Sequence, residues 1–118
     1  MEKKLFAALR DLGIAPKVQY PIGVFRADMA YEEEKLVIEC DGWQFHTEER
    51  RVAKDRYRDK RLKEMGWKVI RYHGWLINRF PEVCAAEIGL KYMPGKLSPE
   101  ATHRAKVAMI TYGIRTKT

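Results

Sequence analysis

The order of apolar and polar segments predicts an α/β domain: a mixed sheet flanked by helices in the order α-β-β-β-α-β-α, with a helical C-terminal extension. Two observations carry this. After one helical segment come three extended runs, at 16–22, 24–31 and 35–41, and only polar turns separate the last two. A long charged helix then leads directly into another strand, Trp67–Tyr72 (WKVIRY). Strand, helix, strand implies a parallel pair joined by a right-handed crossover.

The elements follow in order. Glu2–Gly13 reads as a helix, because Leu5, Leu9 and Leu12 share one face and Gly13 suits a C-cap. Glu2 falls in its first turn, where the helix dipole favours an anion. Pro16–Ile22 alternates Val18, Tyr20, Ile22, and Pro21 assigns it to an edge. Val24–Tyr31 (VFRADMAY) and the run opening at Lys35 form a hairpin across Glu32-Glu33-Glu34. Glu48–Met65 reads as a helix with Thr47 as N-cap and Gly66 at its end. Gly74 is expected to begin a loop. Leu76–Tyr92 reads as helical, with Pro81 starting a helix rather than interrupting one. Ser98-Pro99-Glu100 starts a last helix that is expected to end near Tyr112, before a loose tail at Arg115–Thr118. Residues 1–93 therefore read as the principal domain, and 94–118 as a C-terminal helix and tail suited to linking a further domain.

The chain has 118 residues, enough for one core, and a formal charge of +7. Its pI near 9.5 favours a polyanionic partner, with nucleic acid the default. No apolar run is long enough to span a bilayer, so membrane residence is not expected. The two cysteines, Cys40 and Cys84, lack zinc spacing and suit a reducing, cytoplasmic setting. Cys84 and Met65 read as packing residues, and Trp67 and Tyr72 as core aromatics.

Chemistry concentrates in Lys35–His46 (KLVIECDGWQFH). Alternation puts Val37, Glu39 and Asp41 on one face of a core strand. Asp28 interrupts the preceding strand, and hairpin pairing brings it beside Glu39. Carboxylates are rarely buried without a partner, and a hard divalent cation suits two acids near an imidazole, here His46. Trp43 and Phe45 read either as core or as groups pressing on a base step. Gln44 reads as a turn residue or a phosphate contact. The helix beyond carries Arg50, Arg51, Lys54 and Arg58, which suit phosphate binding without sequence information. Asp55 and Asp59 fall on the same stripe as Val52 and Leu62. They either form surface ion pairs with Arg51, Arg58 and Lys63 or orient a catalytic or backbone-binding group.

The segments RADMAY, KLVIECDGWQFH and DRYRDKRLKEMGWKVIRY together resemble the very-short-patch-repair (Vsr) type endonucleases of the PD-(D/E)xK restriction-endonuclease-like superfamily. The likeness covers Glu2–Trp75 and extends to phage homing-type relatives and small nuclease-domain proteins. It implies a metal-dependent DNA endonuclease using Mg²⁺ or Mn²⁺. It implies metal binding at Asp28 and at the backbone carbonyl of Cys40, a histidine at His46, and a helix acid near the site at Glu2. The chain departs from the superfamily by carrying Asp41 where a lysine usually stands, and from the repair enzymes by lacking ligands for a structural zinc. The expected site is therefore Asp28 and Glu39 on the metal, Asp41 adding a further oxygen, and His46 as general base. An inactive DNA-binding module or an RNA-cleaving nuclease of the same fold are the alternatives. Monomer or homodimer stays open.

Overall fold

The computed structural model describes residues 1–42 and 49–117, with side chains for all of these except 49–52 and 113–117. Helix α1 (Glu2–Asp11) leads to β1 (Lys17–Ile22), β2 (Phe25–Tyr31) and β3 (Leu36–Asp41). Helix α2 (Glu49–Glu64) then crosses to β4 (Lys68–His73). The sheet order is β1-β2-β3-β4, with the first two pairings antiparallel and β3/β4 parallel. This is the expected mixed sheet.

The two sheet faces bury different partners. Met29, Tyr31, Leu36, Ile38, Ile70 and Tyr72 pack with Leu5 and Leu9 of α1 and with Ile77, Cys84 and Ile88. Across the sheet, Ile22, Ala27, Ala30, Val37 and Trp67 pack with Leu62 of α2. Each fully buried Leu or Ile contributes about 1.5–3 kcal/mol of transfer free energy. Leu62 is fully buried, whereas residues 53–57 of α2 are exposed. Trp67, Tyr72 and Cys84 are buried as expected, but Met65 is 41% exposed. It follows the last full turn of α2, so the surface rather than the core receives it.

Residues two apart in a strand normally share a face. Ala27 and Met29 do not, since they belong to opposite cores. Strand β2 therefore turns over at Asp28. The β1/β2 register passes over Gln19 and Asp28, and Gln19 adopts φ +48°.

His73 leads directly into α3 (Gly74–Arg79), so Gly74 starts a helix and not the expected loop. Close packing explains the glycine: a Cβ there would lie 2.8 Å from the Asp41 carbonyl oxygen and 2.5 Å from Met1 Sδ. Helix α4 (Pro81–Glu87) begins at Pro81 as expected and runs into a π-helical turn at Ile88–Tyr92. Helix α5 (Pro99–Lys117) is capped by Ser98, whose Oγ accepts the Ala101 N–H at 3.0 Å. It continues through Gly113, replacing the expected tail at 115–117, because one glycine costs a helix only about 1 kcal/mol. Ala101 and Ala105 are buried, and Arg104 donates to the Asp11 carbonyl at 3.1 Å. Among the described residues no helix is long and apolar enough to cross a membrane.

Candidate active site

Register brings the first two acids together. The β2/β3 ladder runs from Tyr31 opposite Leu36 to Met29 opposite Ile38, so Asp28 and Glu39 are the next opposed residues. There each carboxylate takes the partner strand's main-chain proton. The Asp28 N–H donates to Glu39 Oε2 at 3.0 Å, and the Cys40 N–H donates to Asp28 Oδ2 at 2.9 Å. A charge-assisted bond of this kind is stronger than the amide–carbonyl bond it replaces.

Helices from both sides complete the cluster. Glu2 of α1 meets Asp28: burial raises its pKa, and the Asp28 charge and a side-chain hydrogen bond to it push it further. Glu39 is 7% exposed and is the buried charged residue among those described. Burial and the neighbouring Asp28 charge push its carboxyl up to about 7, against the opposing pull of the Asp28 N–H and Arg58. Arg58 of α2 places its guanidinium against Glu39 Oε1 and donates to the Arg26 carbonyl at 3.0 Å.

Beyond Glu39 the charges alternate. Arg58 lies 3.9 Å from Asp59, and Asp59 binds Arg71 of β4 through two bonds of 2.9 and 3.1 Å. Arg71 in turn reaches Asp41 at 3.4 Å. Parallel register sets this up, since Arg71 stands opposite Glu39 and His73 opposite Asp41. Burial pushes the Cys40 thiol up to about 12, so it is a neutral group beside the acids.

The structure thus gathers Glu2, Asp28 and Glu39, while Asp41, half-exposed, turns to Arg71. Arg58 turns inward to Glu39, and Lys54 and Asp55 are exposed. Asp59 pairs with Arg58, as one reading of α2 expected, but its main partner is Arg71 of the neighbouring strand. Trp43, Gln44, Phe45 and His46 lie outside the described residues, as do the side chains of Arg50 and Arg51. Arg71 was absent from the expected site. Its signal was two-residue spacing from Val69, which packs on the α2 face.

Hard oxygens are the right donors for Mg²⁺ or Mn²⁺. Glu2 and Asp28 are like charges close enough for Asp28 to raise the Glu2 pKa beyond the effect of burial, an arrangement that a shared proton or an intervening cation would relieve. Among the described residues, however, no three His, Cys, Asp or Glu side chains are grouped closely enough to enclose a metal. The chemistry of the donor set fits a cation that would draw the acids together.

A groove of about 690 Å³ lies elsewhere, between α1, α4 and α5 at Lys4, Ala8, Glu82 and Ala105.

No curated protein matches the chain. The catalytic domain of the homing endonuclease I-Bth0305I shares its fold, with a TM-score of 0.62 at 18% identity over 78% of this chain and 95% of that domain. This likeness is one of fold and does not single out the Vsr enzymes. The family model REase_MTES_1575, of the restriction endonuclease family, matches residues 1–88, which hold every residue of the cluster, and the chain belongs to that family.

Proposed function

We propose that the chain is a Vsr-like, metal-dependent DNA endonuclease of the phage homing type, hydrolysing phosphodiester bonds. The observation that carries this is the reciprocal Asp28–Glu39 arrangement, with Glu2 at its side and a basic chain around it. Asp28, Glu39 and the Cys40 carbonyl would hold Mg²⁺ or Mn²⁺. Such an ion offsets charge on the scissile phosphate and acidifies water. Main-chain bonds set Asp28 and Glu39 side by side, so a cation would need only to draw them closer and displace Arg58 from Glu39. His46 is assigned the proton taken from the attacking water. The water oxygen bonds to phosphorus, one ester P–O bond breaks, and the departing oxygen takes up a proton. Asp41 acts through Arg71, tying β3 to β4 and α2. Exposed basic side chains such as Lys54 contact phosphates. Residues 94–118 serve as a C-terminal extension to the catalytic part.

The test is incubation of purified protein with supercoiled plasmid and Mg²⁺ or Mn²⁺, with single-stranded RNA as the comparison. Nicked or linear plasmid is the expected product, and EDTA should stop its formation. Cleavage of RNA alone would move the substrate class. A second reading, a DNA-binding module without activity, is favoured by the Arg58–Glu39 ion pair, which engages a carboxylate the metal would need. Retardation of plasmid without cleavage would support it.

A further inference from the structure

The run Asp55-x-x-Arg58-Asp59 is not consumed by the metal-binding scheme, yet it reaches the buried acids. Of the salt bridges among the described residues, the one from Arg58 alone touches the Asp28–Glu39 pair. Its guanidinium is not a loose surface charge. It is 18% exposed, donates to the Arg26 carbonyl at 3.0 Å and lies 3.9 Å from Asp59. Asp59 is itself fixed by two bonds to Arg71. The cation is therefore held at the rim of the acid cluster by β2, α2 and β4 together.

Strand β3 supplies no cation of its own here, because Asp41 stands two residues after Glu39. Glu2, Asp28 and Glu39 are acceptors that bind a cation but repel a phosphate. Among the described residues, Arg58 is the positive side chain positioned to admit one. A guanidinium presents paired N–H donors that match two phosphate oxygens and keeps its charge at any working pH.

We propose that Arg58 is a catalytic residue that exchanges partners. Before substrate arrives, it is the counter-ion of Glu39. With a divalent cation held at that carboxylate, the guanidinium would be released to the non-bridging oxygens of the scissile phosphate and would offset the charge gathering there. It gives up no proton. The water and leaving-group protons move as in the hydrolysis above, on which this assignment rests.

The experiment compares the wild-type chain with Arg58→Ala and Arg58→Lys. Mn²⁺ binding is measured by calorimetry, folding by thermal melting, plasmid cleavage under single turnover, and rescue with guanidinium chloride. Loss of a competing cation should leave Mn²⁺ binding by Arg58→Ala as tight as wild type or about 3-fold to 10-fold tighter. Its cleavage rate should fall by about 100-fold to 1,000-fold, the usual effect of removing one charge-stabilising donor. Guanidinium at millimolar concentration should restore part of that rate, and Arg58→Lys should fall between the two. Full-rate cleavage by Arg58→Ala would overturn the assignment alone. So would weakened Mn²⁺ binding with a lowered melting point and no rescue, which marks a structural role. A wild-type chain that binds Mn²⁺ and cuts neither DNA nor RNA would instead overturn the nuclease reading, and the assignment with it.

Discussion

Strands β2 and β3 form one hairpin with two unlike ends. At the turn end, Tyr31, Leu36, Met29 and Ile38 lie in a regular ladder over α1 and are nearly or wholly buried. At the other end, the ladder gives way to Asp28 and Glu39, whose carboxylates receive the main-chain protons. The turn end is built to be stable. The open end buries like charge: burial first, and then the neighbouring Asp28 carboxylate, raises the pKa of Glu2 and Glu39. The difference shows how a small domain hosts such a cluster: the stable half of the same two strands offsets what the charged half costs.

Substitutions at the two ends should separate these roles. Ile38→Ala, at a fully buried site, should destabilise the fold by about 2–5 kcal/mol in urea denaturation, while folded molecules keep their cleavage rate. Asp28→Asn keeps an acceptor for the Cys40 N–H, so stability should hold or rise. Plasmid cleavage should still fall by more than about 100-fold, or about 2.7 kcal/mol of transition-state free energy. A stable, active Asp28→Asn chain would erase the contrast.

The third prediction concerns pH. The Glu39 carboxyl is raised from 4.5 to about 7, so between those values the folded chain binds more protons than the unfolded one. Stability from this group is fully present below about pH 4.5 and is lost as pH rises through about 7. Without metal, the loss should be about 1–3 kcal/mol in melts across that window, after discounting for solvent screening. Saturating Mn²⁺ should flatten the slope, and Glu39→Gln should remove it. The smallest effect is expected at the network's outer end. Asp59 and Arg71 are each about a third exposed, so Asp59→Asn should cost about 1 kcal/mol or less.

Much of this hairpin was legible beforehand. An acid inside an apolar strand, a short acidic turn and two-residue alternation suffice to pair Asp28 with Glu39. The turn itself closes with Lys35 at φ +51°, while Lys17 and Lys96 pair with Glu32 and Glu33 at 2.8 and 2.9 Å. The cations were harder. Helix α2 has so few apolar positions that its pattern does not say which arginine turns inward, and Arg58 reads like its exposed neighbours. Arg71 sits in a strand whose charged positions look like a solvated face. Gly74 was misread because its close approach to Asp41 is a tertiary fact with no local signature. Helix α5 is similar: its seat is two alanines, Ala101 and Ala105, while its larger apolar residues Val107, Ile110 and Tyr112 are exposed.

The charged network joins Glu2, Asp28, Glu39, Arg58 and Arg71, drawn from two helices and three strands. No contiguous stretch of the chain contains it, so its formation waits for the most distant of these segments. On the ribosome, a chain emerging at about 5–20 residues per second lacks the complete network until β4 has followed. No fragment that stops short of β4 holds all five residues, so the network closes only when both halves of the chain have folded together.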